Sequence, residues 1–390
     1  MRDFEFYSPT KMIFGKSKED TIGQHIKDFG GNRVLLHYGQ SSAVKSGLIG
    51  NIKHKLENLG IEYVELPGVQ PNPRLSLVRR GIQLCKEYNL DFILAVGGGS
   101  VIDSAKAIGV GAADHGDVWD FFTRERTPTA SYPIGCVLTI ASAGSESSNS
   151  CVVRNEEENV KRSILTDIIR PKFAILNPSL TFGLPKYHIA CGISDIIMHT
   201  LDRYFTDAKD TGITDRVSEG ILVTAMNYGK ISLDDPYNYS ARANLMWAGS
   251  LSHNTLTECG KPRDFSVHAI ERGISGSYDI AHPAGLTIVW PNWARYVYKY
   301  NIMRFAEYAV NVMGCKMNFE NPEATAIEGI EKTEEYFKSI DMPTSFGDAN
   351  LFPTGEKMEE IAGYAVGAGD IGTFKKLNKE DIKHILSEAL

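Results

Sequence analysis

Residues 91–108, DFILAVGGGSVIDSAKAI, decide how the first half of the chain folds. The apolar run over residues 91–96 predicts a buried β-strand, which Gly97-Gly98-Gly99 stops. Helical spacing begins at Val101. A strand that leads through a glycine turn into a helix forms a βα unit, which is typical of a parallel sheet covered by helices.

The same alternation continues on both sides of this stretch. It predicts further strands over residues 33–38, 61–66, 133–138 and 174–176, with helices over residues 44–59 and up to Tyr88. After Asn177-Pro178 the pattern changes to long amphipathic helices. The sequence therefore predicts an α/β domain over residues 1–180 and an all-α domain over residues 181–390.

Composition limits the kind of partner. The chain has 390 residues, with 41 Lys and Arg against 48 Asp and Glu, so its net charge is −7. This acidic balance argues against a nucleic acid or an anionic membrane surface and favours a small molecule. The chain contains no run of about 18 apolar residues, so no membrane span is predicted. The first 30 residues carry too many charges for a signal peptide, and the six cysteines show no Cys-x-x-Cys spacing, so a cytoplasmic protein with reduced thiols is expected.

Two interpretations of the glycine turn stay open. Gly97, Gly98, Gly99 and Ser100 precede a helix whose first amide groups can bind a phosphate. The standard dinucleotide fingerprint would need a third glycine where Ile102 stands. Alternatively, Ser100 is the N-cap of the helix and Asp103 its reciprocal acid, an arrangement that needs no ligand.

A second set of residues has the chemistry of a metal site. Asp195 and His199 are four residues apart in a helical stretch and therefore share one face. His268 and His282 follow in the same half. One carboxylate and three imidazoles suit Fe²⁺ or Zn²⁺. Spacing alone also allows that the four residues are unrelated.

Taken together, the motifs resemble the iron-containing (group III) alcohol dehydrogenase family, on the side of its butanol dehydrogenases and NADPH-dependent aldehyde reductases. The resemblance extends over nearly the whole chain. The stretches that carry it are residues 6–11 (FYSPTK), 71–73 (PNP), 97–106 (GGGSVIDSAK), 139–146 (TIASAGSE), Gly192-x-x-Asp195-x-x-x-His199, His268 with His282, and 381–390 (DIKHILSEAL).

This resemblance implies a dehydroquinate synthase-like fold, with a dinucleotide-binding first domain and a second domain that holds metal and substrate. It implies that the metal ligands, and through the metal the catalytic residues, are Asp195, His199, His268 and His282. It also implies that the nicotinamide lies in a cleft between the domains. The cofactor-binding positions that it implies are Asn72, Gly97, Gly98, Gly99, Ser100, Asp103, Thr139, Ser142, Ala143 and Lys161.

The loop after the first predicted strand of the dinucleotide-binding core bears on cofactor choice. NAD-preferring members of the family carry an aspartate there, which binds the adenosine ribose. Here the stretch is Gly39-Gln40-Ser41-Ser42, with no carboxylate to repel a 2′-phosphate. Gly39, Ser41 and Ser42 are therefore predicted cofactor contacts, and NADP(H) is preferred over NAD(H).

Two positions depart from the family pattern. Many members have a histidine four residues after the third ligand that relays a proton, and here that position is Arg272. Arginine stays protonated, so it either recognises a negative group on the substrate or forms an ion pair with an acid such as Glu271 or Asp279. Pro283 replaces the glycine that commonly follows the last ligand.

The predicted function is a metal-dependent, NADP(H)-linked alcohol dehydrogenase or aldehyde reductase for short- to medium-chain substrates such as butanol and butanal. The alternatives are a catalytically weak or silent nucleotide-binding homologue, a dehydrogenase for an anionic or polyol substrate, and a metallohydrolase. The metallohydrolase leaves the glycine turn unexplained. Since members of the family are often dimers, the resemblance suggests a homodimer.

Overall fold

The computed structural model describes residues 1–367 and 369–390. The chain divides into two compact units, residues 7–183 and residues 1–6 together with 184–390. The sequence analysis assigned residues 1–6 to the first domain. They lie with the second unit because the amino group of Met1 donates to the carbonyl of Lys209 at 2.9 Å and Arg2 forms an ion pair with Asp207 at 2.9 Å.

A six-stranded parallel sheet forms the centre of the unit at residues 7–183. Its strands lie in the order β1-β8-β5-β4-β2-β3. The eight strands of this unit are β1 (Lys11–Phe14), β2 (Arg33–Gly39), β3 (Glu62–Val69), β4 (Phe92–Gly97), β5 (Ile134–Leu138), β6 (Ser150–Asn155), β7 (Val160–Leu165) and β8 (Phe173–Leu176). The predicted parallel α/β fold is confirmed.

Helices connect these strands. They are α1 (Ile22–Asp28), α2 (Ser42–Lys45), α3 (Leu48–Glu57), α4 (Leu75–Glu87), α5 (Gly99–Ala112) and α6 (Trp119–Thr123). The single helix predicted over residues 44–59 is two helices, because Gly47 between α2 and α3 adopts a left-handed φ of +78°. Strands β4, β5 and β8 are buried along their whole length, as expected of central strands covered by helices.

Sequence analysis missed two features of this unit. Strand β1 lies at the edge of the sheet and pairs with β8. Strands β6 and β7 form a separate antiparallel hairpin.

In the six-stranded sheet, β3 and β4 lie on opposite sides of β2, so the strand order reverses between β2 and β4. Ligands of open α/β sheets bind outside the carboxyl ends of the strands at such a point.

The second unit is helical, as predicted. The helices described in it are α7 (Lys186–Tyr204), α8 (Gly212–Asp234), α9 (Tyr239–Ser252), α10 (Ser266–Tyr278), α11 (His282–Val297), α12 (Ile302–Asn311), α13 (Pro322–Ser339), α14 (Gly355–Val366) and α15 (Lys379–Ser387). Helix α7 is buried from Ile189 to Tyr204, and it packs against α8 and α11. A helix that is buried on all sides fixes its side chains firmly, and α7 carries Asp195 and His199. In the part of the chain that the structure describes, no helix is both long enough and apolar enough to span a bilayer.

Candidate cofactor and metal sites

The glycine turn joins β4 to α5 at the carboxyl edge of the sheet. The N-cap of α5 is Gly98, with no capping side chain, so the interpretation of Ser100 and Asp103 as a capping pair is wrong. Asp103 instead accepts hydrogen bonds from the Ser145 hydroxyl at 2.5 Å and from the Val152 amide at 2.9 Å. It thus connects α5 to the segment after β5 and to β6.

The three glycines differ in the space around them. A Cβ on Gly97 would lie 2.4 Å from a methyl of Val101, and one on Gly98 would lie 2.4 Å from a methyl of Ile140. A Cβ on Gly99 would lie 3.9 Å from the Cβ atoms of Ala143 and Ser145, which is an ordinary contact. Packing therefore requires glycine at 97 and 98, whereas the space beside Gly99 is open. This space lies at the helix N-terminus, where the first amides have no intrahelical acceptor.

A buried lysine braces the segment that follows β5. The Lys106 ammonium donates to the Ser145 hydroxyl at 3.2 Å and to the carbonyls of Ser148 at 3.0 Å and Ser150 at 2.8 Å. Burial lowers the pKa of Lys106, and the nearby Asp103 opposes that shift. Sequence analysis did not assign a role to Lys106, although it lies seven residues after Gly99 on the same helix.

The other predicted cofactor positions follow the ends of neighbouring strands. The Thr139 amide donates to the carbonyl of Gly97 at 3.1 Å, which joins the loops after β5 and β4. Gly39 ends β2, and Asn72 follows β3 in a left-handed conformation with φ of +57°. Ser41 and Ser42 are exposed at the start of α2, Ser142 and Ala143 are half-buried, and Lys161 is buried in β7. The structure thus places most of this set at one edge of the sheet, and the cofactor roles of its members stay predictions.

Three of the four predicted metal ligands converge in the helical unit. One ligand atom each of Asp195, His268 and His282 lies within 4.8 Å of the others. The fourth, His199, is beside them: its Nε2 is 3.5 Å from Asp195 Oδ1, and its ring centroid is 4.5 Å from that of His268. Asp195 lies on α7, His268 lies on α10, and His282 is the first residue of α11.

Carboxylates orient two of the rings. His268 Nδ1 is 2.5 Å from Asp202 Oδ2, and His282 Nδ1 is hydrogen-bonded to Glu271. Such carboxylate–histidine pairs fix the ring and direct the other nitrogen toward a metal. His268 Nε2 is buried and has no hydrogen-bond partner among the described residues. This nitrogen and the neighbouring carboxylate of Asp195 are a donor set that suits a divalent transition metal.

Electrostatics around the cluster favour the neutral form of the His199 and His268 rings, which is the form that binds a metal. Burial holds the pKa of His199 well below its ordinary value, and the neighbouring His268 adds to that effect. Burial also depresses the pKa of His268, with a further contribution from His282. Both effects remove the competing proton at neutral pH.

Several residues around the cluster escaped the sequence analysis. Asp202 and Glu271 orient the ligand rings, and Arg203 donates to the carbonyl of His199 at 2.7 Å. His253, to which no role was assigned, stacks on the His199 ring with centroids 4.2 Å apart. The signal for the two acids was position: each follows a predicted ligand by three residues on the same helix.

Arg272, one of the two departures from the family pattern, follows Glu271 directly on α10. Burial lowers the pKa of Arg272, and the negative charge of Glu271 opposes that shift. Both sequence-based interpretations of Arg272, an ion pair with a neighbouring acid and recognition of a negative group on the substrate, stay predictions. Pro283 lies in the first turn of α11, a position that suits proline because its missing amide has no intrahelical acceptor there, and the helix still begins at His282.

Comparison with known proteins identifies the family. The model of the family described as "Iron-containing alcohol dehydrogenase" matches residues 9–178. The model described as "Fe-containing alcohol dehydrogenase family, C-terminal" matches residues 189–390. The chain belongs to the iron-containing alcohol dehydrogenase family, and its class is that of the oxidoreductases that act on alcohols and aldehydes.

Individual relatives match from end to end or nearly so. The chain is 40% identical over 392 residues to the NADH-dependent butanol dehydrogenase A of Clostridium acetobutylicum, with 100% of each chain covered. It is 32% identical over 358 residues to an NADPH-dependent aldehyde reductase of Escherichia coli, with 90% of each covered. The crystal structure of NADH-dependent butanol dehydrogenase A from Thermotoga maritima superposes with a TM-score of 0.95 at 34% identity, covering 100% of this chain and 99% of that one. The predicted family and the predicted fold class are confirmed.

Proposed function

We propose that this protein is a metal-dependent, NADP(H)-linked dehydrogenase that interconverts short- to medium-chain primary alcohols and aldehydes. The observation that carries the proposal is the convergence of Asp195, His268 and His282, with two of the rings oriented by carboxylates. His199 completes the proposed ligand set from the adjacent turn of α7.

The residues have separate tasks in this proposal. A divalent metal held by the four ligands would polarise the oxygen of an aldehyde, and the nicotinamide would deliver hydride to its carbon. Gly99 and Ser100 offer backbone amides to the pyrophosphate at the start of α5. Asp103 and Lys106 hold the segment from residue 145 to residue 152 in place beside that turn.

We base the NADP(H) preference on the loop after β2. Gly39, Ser41 and Ser42 present no carboxylate to a 2′-phosphate, and both serines are exposed. Relatives differ on this point, since the 40%-identical butanol dehydrogenase is named for NADH and the 32%-identical reductase for NADPH. The test is Gly39→Asp, which the structure tolerates because a Cβ at this position would lie 3.8 Å from its nearest neighbour, the carbonyl of Val69.

The expected result for Gly39→Asp is a shift of the kcat/KM ratio from NADPH toward NADH by about 10-fold or more, since the new charge repels the phosphate. Asn51→Asp, an acid added at an exposed site on α3, is the matched control and should leave the ratio unchanged. A parent enzyme that prefers NADH, or a variant with the parent's ratio, would contradict the NADP(H) assignment.

The activity itself is tested by NADPH oxidation with butanal. The assay compares protein as purified, protein stripped with a chelator, and stripped protein given Fe²⁺ or Zn²⁺. We expect turnover that is lost on stripping and restored by one of the metals. NADPH binding without turnover under any of these conditions would favour the silent homologue instead.

His268→Ala connects this activity to the proposed ligands. It should lower both the bound metal, measured by elemental analysis, and the turnover by about 100-fold or more, because a ligand and its orienting pair are lost together. The exposed His188→Ala on the same unit is the matched control and should behave like the parent. Full metal content in His268→Ala would contradict the ligand assignment.

We also propose a cytoplasmic location and a homodimer. The six cysteines are buried free thiols, which suits a reducing compartment. The homodimer rests on the family resemblance, and light scattering coupled to size-exclusion chromatography tests it directly.

A further inference from the structure

The turn of the β6–β7 hairpin carries an acid that binds a helix far away in the sequence. Glu156 is the first residue of this turn, and its carboxylate accepts hydrogen bonds from the Leu75 amide at 3.0 Å and the Ser76 amide at 3.4 Å. The Ser76 hydroxyl also donates to it. These groups belong to the first turn of α4. A carboxylate at a helix N-terminus satisfies amides that have no intrahelical acceptor and complements the helix dipole.

Helix α4 depends on this contact because its own sequence supplies no cap. Its N-cap residue is Arg74, which has an extended backbone with φ of −88° and ψ of 139° and makes no capping hydrogen bond. Burial alone would raise the pKa of Glu156, but the hydrogen bonds from Ser76 and Leu75 outweigh that effect and hold the pKa below its ordinary value. The carboxylate at the start of α4 is therefore ionised at neutral pH.

The two acids that follow Glu156 have no comparable contact. Glu157 and Glu158 are exposed, and their amides donate to Asn155 Oδ1 at 3.1 and 3.5 Å, which closes the turn. Among residues 1–367 and 369–390, neither carboxylate has a hydrogen bond or an ion pair. The contact with α4 is thus specific to one of three consecutive glutamates.

The same hairpin joins two of the predicted cofactor positions. On β6, the Arg154 amide donates to the carbonyl of Pro73 at 2.9 Å, so the segment that contains Asn72 and Pro73 lies along this strand. On β7, Lys161 is directly opposite Arg154 in the register of the hairpin. Strand β6 therefore has the Asn72 segment at one edge and Lys161 at the other.

The base of the hairpin has a separate attachment to α5. The Lys106 ammonium donates to the carbonyl of Ser150 at 2.8 Å, and Asp103 accepts from the Val152 amide at 2.9 Å. The hairpin is thus fixed to α5 at its base and to α4, through Glu156, at its turn. Loss of the Glu156 contact would free the turn and leave the base in place, so we expect the fold to survive it.

We propose that Glu156 is a positioning residue for the cofactor. By binding the start of α4, it holds the segments of Asn72 and Lys161 in the arrangement that the nicotinamide nucleotide meets. Binding then does not have to order these segments first. This inference rests on the proposed function, since it takes Asn72 and Lys161 to be cofactor contacts. Glu156 acts on the cofactor through those two segments.

The first test is nucleotide affinity, measured by fluorescence titration with whichever of NADPH and NADH the parent binds more tightly. Glu156→Ala should raise the Kd about 10-fold, as expected for the loss of charge-assisted hydrogen bonds. Glu156→Gln, which keeps an acceptor oxygen but not the charge, should lie between Glu156→Ala and the parent. Glu157→Ala, which removes the neighbouring acid, is the matched control and should keep the parent's Kd.

Steady-state kinetics provide a second readout of the same variants. In Glu156→Ala the KM for the nucleotide should rise by about the same factor of 10 while kcat stays that of the parent. The reason is that an ordered binding site favours the ground state and the transition state equally.

A double variant distinguishes a positioning role from that of a helix cap alone. Arg74→Ser, added to Glu156→Ala, gives α4 a local N-cap on a backbone that is already extended. The double variant should recover the parent's urea midpoint yet keep the raised Kd, because α4 is capped again while the hairpin turn stays detached. Arg74→Ala, added to Glu156→Ala, removes the same arginine without supplying a cap and should recover neither.

Amide hydrogen exchange of the nucleotide-free protein measures the detachment itself. Exchange over residues 156–165 should be faster in Glu156→Ala than in the parent, and it should stay fast when Arg74→Ser is added. Circular dichroism and the melting temperature verify that each variant is folded. Glu156→Gln replaces Glu156→Ala if the latter is not folded.

The outcomes separate this inference from the proposed function. An unchanged Kd in Glu156→Ala, a Kd that Arg74→Ser restores, or exchange equal to that of the parent would overturn the inference alone. A raised Kd that Arg74→Ser does not restore, with no aldehyde reduced under any metal condition, would overturn the proposed function alone. A parent that binds neither NADPH nor NADH would overturn both.

Discussion

Asp202 holds the ring of His268 through a single contact, 2.5 Å between its Oδ2 and Nδ1 of the ring. The side chain is buried. A carboxylate hydrogen-bonded to one ring nitrogen fixes the orientation of the ring and makes the other nitrogen a more basic metal ligand. Asp202 is thus a positioning residue that acts through His268.

Asp202→Asn should weaken metal binding about 10- to 100-fold, because the amide keeps the shape of the side chain but loses its charge. Competition for Zn²⁺ with a chromophoric chelator measures the effect. Asp207→Asn is the matched control, since Asp207 pairs with Arg2 at the surface and should leave the Zn²⁺ affinity as it is. Equal affinities of Asp202→Asn and the parent would show that Asp202 does not act on the metal.

For individual residues, the sequence indicated candidate metal ligands that share one helix face by their spacing. It missed residues whose role depends on a contact with another helix. Asp195 and His199 are four apart on α7, and the spacing alone suggested a shared face. Asp202 is on that same helix, but its partner His268 is 66 residues further along the chain. Nothing in the local pattern indicates which buried acid will meet which ring.

In the turn between β4 and α5, one glycine is required by packing and the next is proposed to serve ligand binding. Gly98 has a methyl of Ile140 where its Cβ would be, whereas the space beside Gly99 is open. Replacing Gly98 by alanine therefore tests packing, and replacing Gly99 by alanine tests cofactor binding.

Gly99→Ala should fold like the parent yet bind NADPH about 10-fold or more weakly, because the added methyl occupies the approach of the phosphate to the helix N-terminus. Gly98→Ala should lose about 1–3 kcal/mol of unfolding free energy through overpacking against Ile140. Urea denaturation and fluorescence titration with NADPH measure the two effects. Unchanged NADPH affinity in a folded Gly99→Ala would remove the pyrophosphate from this turn.

His37 gives the α/β unit a pH-dependent stability. It lies on β2, fully buried, with Nδ1 2.8 Å from the carbonyl of Leu66 and Nε2 2.8 Å from the Ser104 hydroxyl. Burial lowers its pKa to about 4, below the unfolded value of 6.5. The unfolded chain therefore takes up the proton first, so the contribution of the neutral ring is complete above pH 6.5 and is lost as the pH falls toward 4.

His37→Gln should show a smaller loss of stability between pH 6.5 and 4 than the parent, by about 3 kcal/mol for a difference of this size. Unfolding free energies from urea curves at several pH values give the comparison. The exposed His54→Gln on α3 is the control and should follow the parent curve. Parallel curves for His37→Gln and the parent would mean that His37 titrates normally in the folded protein.

Element prediction succeeded where strands are long and apolar and failed where they are short or charged. Residues 91–96 were expected as a strand, and β4 runs from Phe92–Gly97. Strand β1 has only four residues, and β7 includes charged residues, so neither stands out from a loop. The predicted capping pair was wrong because α5 begins at Gly99, which leaves Ser100 inside its first turn.

For the molecule as a whole, the two units divide the chemistry. The described cofactor positions belong to residues 7–183, and the proposed metal ligands belong to the unit that includes residues 184–390. The net charge of −7 argued against polyanionic partners but said nothing of local charge.

If the metal belongs to the helical unit, binding should stabilise that unit. Three of the four tryptophans, Trp247, Trp290 and Trp293, are in it, so Trp119→Phe leaves fluorescence that reports on this unit alone. In that variant Zn²⁺ at about 100 times its Kd should add about 2.7 kcal/mol to the unfolding free energy. The urea midpoint would therefore move upward.

Two comparisons make this expectation specific to the proposed ligands. Mg²⁺ should have no effect at the same concentration, because nitrogen donors do not suit it. The same measurement with His268→Ala in the Trp119→Phe background should show no shift with Zn²⁺, since the ring that carries the buried, unpartnered Nε2 is gone. An equal shift in both proteins would place the stabilising metal elsewhere in the molecule, and the ligand set proposed from Asp195, His199, His268 and His282 would then be wrong.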